Sequence, residues 1–352
     1  MKKFEAKKTG ASAIVTWSVL NFFMQCCAAG TLVGIVRNNT SYDRYLLYVA
    51  AFDLISVFVG TLFGLLADMT TDKSIGIRLG VLLASLGFVW PYDWGITPKV
   101  VLLGIGVGMA EVWLLSAVLK KGGRHYDVGA FLAAGAVGIG AGRYMPVLCF
   151  FAVCFMMITA ALSPKDADAS FDLQKKDHGK KLLFGIAVLA VTSLASFFLA
   201  YCLGNIDLDP SFGWVYNGKT FLVCALALAV GLFAGDLVSK KLGGGVAAVC
   251  SLGGGYALFL MSYGSKVMCL GCLALFGMIL PVVFSAAAKY LPDYVGFACG
   301  LISSSAMLGI ITARYVETGA SSALTVGALA FAALVFVALD VYELLKKRSE
   351  KR

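Results

Sequence analysis

The sequence predicts an all-α membrane protein of about 12 transmembrane helices, arranged as two pseudo-symmetric six-helix bundles. Three observations lead there. Apolar residues make up 60% of the 352 positions and charged residues only 14%, with a mean hydropathy of +0.86, whereas soluble domains carry roughly one charged residue in four. The apolar residues are gathered into runs of bilayer length. Features of the first half recur in the second at a near-constant offset.

The runs fall at residues 11–36, 45–67, 76–90, 99–119, 126–142 and 145–162, then at 182–203, 220–238, 244–262, 267–288, 294–313 and 320–345. About 20 apolar residues are needed to cross the hydrocarbon as a helix, so the third and fifth runs are the shortest that still qualify. The first run is too long, and too closely followed by others, for a cleaved signal peptide. Between the two sets lies Ser163 to Lys181, rich in Lys, Asp and Ser, which reads as a solvated linker. The expected organisation is therefore an amino-terminal bundle over 1–162, a linker over 163–181 and a carboxyl-terminal bundle over 182–352.

Lys and Arg set the orientation. With the amino terminus in the cytoplasm, 22 of the 29 basic residues fall in cytoplasmic segments and 7 outside (Arg37, Arg44, Lys99, Arg143, Lys219, Lys266 and Arg314). That bias is the positive-inside pattern, and it places both termini in the cytoplasm of a plasma-membrane protein. The net charge of +9 is thus a topology signal. Scattered over short loops, these residues form no nucleic-acid-binding face.

Ten cysteines lie almost entirely within apolar runs, which argues against a disulfide framework. Cys269 and Cys272 have CxxC spacing, but both histidines, His125 and His178, fall in cytoplasmic loops. The pair therefore reads as packing residues in preference to a metal site. No nucleotide-binding loop is present, no His lies in a run and no catalytic acids cluster, so neither ATP use nor an enzyme is expected.

The internal repeat rests on two echoes. Gly64-Leu-Leu-Ala-Asp68, followed by Lys73 and Arg78, is echoed by Ala234-Gly235-Asp236 with Lys240 and Lys241. Gly142-Arg143-Tyr144 is echoed by Ala313-Arg314-Tyr315. From 68 to 236 is 168 residues, and from 143 to 314 is 171.

With these features the chain resembles the major facilitator superfamily over essentially its whole length. In that family the loop between spans two and three carries Gly, three residues, Asp and a basic cluster, and acts as a cytoplasmic latch. Gly64 and Asp68 match, while Met69 replaces the usual basic residue and the cluster is thinned to Lys73 and Arg78. The alternative is an ordinary loop-capping aspartate. A narrower resemblance is to the glycoside-pentoside-hexuronide cation symporters, carried by Asp53, by Glu111-Val-Trp113-Leu-Leu-Ser116 and by Thr70-Thr71-Asp72-Lys73-Ser-Ile-Gly76-Ile-Arg78. Several hallmark residues of those symporters are missing, including the Pro of span two.

These resemblances imply a monomeric secondary transporter with no bound cofactor, moving a small-molecule solute across the bilayer by alternating access. The coupling ion would be H⁺ or Na⁺, exchanged at Asp53 and Glu111, the acids well inside spans of the first half. A carboxylate in hydrocarbon costs about 2.5–3.5 kcal/mol by insertion scales, so such residues need a function or a buried partner. Solute-binding candidates are Asn21 and Gln25, one turn apart on span one, together with Trp113, Arg143 and Arg314. The two arginines would form a cationic mouth for an anionic solute, or else snorkel to head groups or pair with Asp43 or Glu317. The two amides would face a solute or only bridge helices. The gating set is Gly64, Asp68, Lys73, Arg78, Asp236 and Lys240. Gly129, Gly138 and Gly142 are spaced like the family's antiporter signature, yet Arg143 stands where that signature has Pro, and close helix packing explains these glycines sufficiently. Asp340 is expected at the membrane interface. A proton-driven exporter of drugs or metabolites is the runner-up, and a transport-inactive receptor or scaffold on the same fold stands behind it.

Overall fold

A computed structural model describes residues 2–70, 72–121, 127–162, 179–208, 218–261, 265–315 and 323–349. Twelve helices account for nearly all of them. In the first half these are α1 (Lys2–Thr31, running on through a π turn at Leu32–Val36), α2 (Tyr42–Met69), α3 (Lys73–Val89), α4 (Ile96–Lys121), α5 (Asp127–Tyr144) and α6 (Leu148–Leu162). In the second half they are α7 (Gly179–Leu208), α8 (Gly218–Leu242), α9 (Gly244–Met261), α10 (Lys266–Tyr290), α11 (Val295–Tyr315) and α12 (Ala323–Ser349). Among the described residues, nine spans are both long and apolar enough to cross a membrane by themselves. The helices α3, α5 and α6, at 17, 18 and 15 residues, complete the set. The segment read as a linker lies mostly outside the described residues, and α7 already begins at Gly179.

Local chemistry explains the helix ends and breaks. Asp72 caps α3 by accepting from the Ser74 N–H at 2.9 Å. At the other end of α3, the buried Lys99 of α4 donates to the carbonyls of Gly87 (3.2 Å) and Phe88, which have no helical partner. Lys99 is therefore a structural cation and not a loop charge. The two segments of α10, Lys266–Gly277 and Ile279–Tyr290, meet at Met278. Pro281 lies four residues after Gly277 and cannot donate to its carbonyl, which breaks the ladder there. In α9 a π turn spans Val249–Gly254.

The pattern of helix contacts repeats. In the first half α1 packs on α5 and α6, α4 on α2 and α3, and α3 on α6. The same pairings recur six helices later, with α7 on α11 and α12, α10 on α8 and α9, and α9 on α12. Between the halves the main contacts are α2 with α11 and α5 with α8, and an approximate twofold exchanges one pair for the other.

Lipid supplies no hydrophobic drive between helices, so these seams depend on close backbone approach. A Cβ on Gly64 would collide with the Gly296 carbonyl oxygen, and one on Gly300 would lie 2.5 Å from Thr61 Cα. Thr61 and Ser304 then hydrogen-bond across the same seam at 2.6 Å. Gly64→Val is expected to destabilise the protein by about 1–3 kcal/mol through overpacking. Thermal unfolding in detergent measures this, and an unchanged midpoint would contradict the tight seam.

Candidate functional site

Four helices of the first half surround a cavity of about 240 Å³. Its polar lining is Gln25 from α1, Tyr45, Asp53 and Ser56 from α2, Glu111 from α4 and Arg143 from α5. The amide of Gln25 donates to Glu111 Oε2 at 3.1 Å. Arg143, on the last turn of α5, places its guanidinium carbon 4.1 Å from the ring centroid of Phe221 on α8, a cation–π contact across the α5–α8 seam. Charged groups that are far apart in the chain thus share one internal volume.

A second constellation lies at one end of the bundle. Asp68, at the end of α2 and 4% exposed, accepts from the backbone N–H groups of Gly296 and Phe297, both at 2.8 Å, on the first turn of α11. Lys120 stands 3.7 Å away, and the buried Lys73 donates to Ser116 Oγ at 2.7 Å. On the opposite seam Asp236, at the end of α8 and fully buried, accepts from the Gly129 N–H at 2.9 Å on the first turn of α5 and pairs with Lys240 at 2.9 Å. Each carboxylate sits on the positive end of a helix belonging to the other half. Gly129 and Gly296, the recipient positions, are 167 residues apart, close to the 168 between the aspartates.

The same overall arrangement of helices recurs in solved proteins. The chain aligns over 94% of its length with 98% of a Major Facilitator Superfamily transporter, FucP, in the outward conformation, at a TM-score of 0.67 and 16% identity. The chain has the major facilitator fold. A variant of the E. coli fucose:proton symporter FucP aligns over 94% of this chain and 98% of its own (TM-score 0.65, 15% identity). The human organic anion transporter MFSD10 aligns over 92% and 99% (TM-score 0.61, 15% identity). No family model and no curated protein sequence matches the chain.

Within the major facilitator fold, the residues singled out from sequence separate into distinct groups. Asp53, Glu111, Gln25 and Arg143 meet at the cavity. Asn21 does not line it: its side-chain nitrogen donates to the Phe131 carbonyl at 3.0 Å, bridging α1 to α5. Trp113 is buried against Gly76 of α3, also outside the cavity. Gly64, Asp68 and Lys73 lie at the α2–α11 end, Asp236 and Lys240 at the α5–α8 end, and Arg78 is exposed on α3. Gly138 and Gly142 of α5 press on α1 backbone, and Gly129 presses on α8. The backbone of Arg314 lies in α11, but its side chain is outside the described residues. Asp340 does more than sit at an interface, since it accepts from the N–H groups of Gly244 (3.2 Å) and Gly245 (2.7 Å) at the start of α9. Tyr45, Ser56 and Phe221 carry no sequence signal and emerge only from the packing.

Removing either seam carboxylate leaves buried helix-terminal amides without an acceptor. Asp68→Ala and Asp236→Ala are each expected to lower stability by about 1–3 kcal/mol, with Asn at the same position restoring part of the loss. Chemical or thermal unfolding of the purified variants checks this.

Proposed function

We propose that the chain is a secondary active transporter that moves a small polar solute by alternating access, coupled to H⁺ or Na⁺ at Asp53 and Glu111. The observation that carries this reading is the convergence of two carboxylates, an amide and a guanidinium from α1, α2, α4 and α5 on one internal cavity. Enclosed carboxylates are costly in a membrane interior and mark ion pathways there. The likeness in fold to a fucose:proton symporter and to an organic anion transporter supports transport as the class of activity. The protein then resides in the plasma membrane with its termini in the cytoplasm, as the basic residues favour.

In this reading the end bearing Asp68 and Asp236 is cytoplasmic, and the structure is a state closed on that side. The half of α10 after Met278 also contacts α4 and α5 across the halves, which reinforces closure. Each carboxylate binds a helix terminus of the other half, so its bonds exist only while the halves are together. It therefore biases the closed state by its own interaction energy.

Two outcomes are expected. In liposomes, solute-induced entry of H⁺ or Na⁺ across a panel of sugars, carboxylates and amino acids falls more than tenfold in Glu111→Gln and in Asp53→Asn. If both variants keep the ion dependence of the parent, the coupling role is wrong. Asp68→Asn or Asp236→Asn shifts the closed-to-open ratio by 5- to 30-fold, corresponding to about 1–2 kcal/mol for a carboxylate at a helix terminus. Fluorophore pairs at the latched ends of α3 and α9 report the separation.

A further inference from the structure

We infer that the transported solute is a small zwitterion whose anionic group is held by Arg143 and whose cationic group is held at Glu111, a carboxylate it shares with the coupling ion. This rests on the reading of the cavity as the solute site and concerns its selectivity.

The cavity is bipolar. Arg143 enters from the last turn of α5, while Asp53 and Glu111 enter from within α2 and α4. Among the described residues Arg143 has no ion pair or hydrogen bond, and its one charge-directed contact is the Phe221 ring. An aromatic ring compensates the positive charge through its quadrupole but offers no lone pair. The five N–H donors of the guanidinium, whose fork matches a carboxylate, are left for a ligand. Phe221 is then a positioning residue: it keeps the guanidinium at the α5–α8 seam.

At the other pole Glu111 receives one neutral donor, the Gln25 amide. That bond orients the carboxylate and leaves its charge uncompensated. Among the described lining residues Glu111 is thus set against Arg143. A purely anionic solute would satisfy Arg143 while facing Glu111, and a purely cationic solute would do the reverse. A molecule with both charges answers both poles, and desolvated charges of the wrong sign are penalised strongly. The lining also includes the apolar Leu32, Val33, Val49, Phe52 and Val107, which suits a short aliphatic spacer. The cavity, at about 240 Å³, admits a solute the size of a small amino acid.

The test is thermal unfolding of the purified full chain with three zwitterions of increasing charge separation (glycine, β-alanine and γ-aminobutyrate). Each is compared with the acid and the amine that carry one of its charges: acetate, propionate and butyrate, and methylamine, ethylamine and propylamine. At least one zwitterion is expected to raise the midpoint by several degrees at a concentration where its acid and amine do not, because only a ligand of the folded state stabilises it. Arg143→Gln and Glu111→Gln should each weaken that zwitterion's apparent affinity more than tenfold. Arg143→Lys, which keeps the charge and loses the fork, should retain part of it. Phe221→Leu should weaken it less than Arg143→Gln while leaving the unliganded midpoint near the parent's. Equal stabilisation by an acid or by an amine overturns the proposal in favour of an anion or a cation. So does the absence of any zwitterion effect in the folded parent protein. Solute-driven ion entry by another charge class would leave the transport reading standing while this one fell, whereas no flux for any class removes the transport reading itself.

Discussion

The two halves of the molecule are joined by a carboxylate seated on the amino terminus of a helix from the opposite half, an arrangement made twice. Asp68 serves α11 and Asp236 serves α5. Both acids are almost wholly removed from solvent. An anion so placed needs oriented donors, and a helix start supplies unbonded N–H groups together with the positive end of its dipole. Lys120 and Lys240 stand beside the two carboxylates and add countercharge. Where those acids fall helps to set the register of α2 against α11 and of α8 against α5.

Such bonds form only where backbones come close. The approach of α2 to α11 requires Gly64, Gly296 and Gly300 to lack side chains, and in the space so freed Thr61 reaches Ser304. Packing and electrostatics therefore act on the same few turns. Enlarging a glycine and removing an aspartate are two ways of disturbing one seam, and their effects should be strongly non-additive.

Much of this architecture was legible from the chain alone. Hydropathy and the positive-inside bias give the number of spans, because bilayer thickness and charge transfer are coarse constraints that every span must meet. The Gly64–Asp68 motif and its echo at Asp236 mark both ends of the seam, because a carboxylate at a helix end leaves a local signature. Asp53 and Glu111 stand out as charges in apolar runs. What sequence could not give was orientation about each helix axis. Asn21 and Gln25 share a face by spacing, yet one bridges to the Phe131 carbonyl and the other reaches Glu111. Trp113, two residues beyond Glu111, points to α3 instead of the cavity. Phe221 has no signature because a ring meeting a guanidinium from a distant helix depends only on tertiary approach. Lys99 reads as a loop charge until the carbonyls at the end of α3 are seen around it.

The repeat is architectural, but the chemistry is lopsided. Every ionisable group that the described residues bring to the cavity belongs to the first six helices, and the described contribution of the second six to Arg143 is an uncharged ring. Two like units are thus furnished differently around the cavity, with charge described on one side and an aromatic ring on the other. Among the described residues the polar lining can therefore change within α1, α2, α4 and α5 without touching the seam carboxylates Asp68 and Asp236, neither of which lines the cavity.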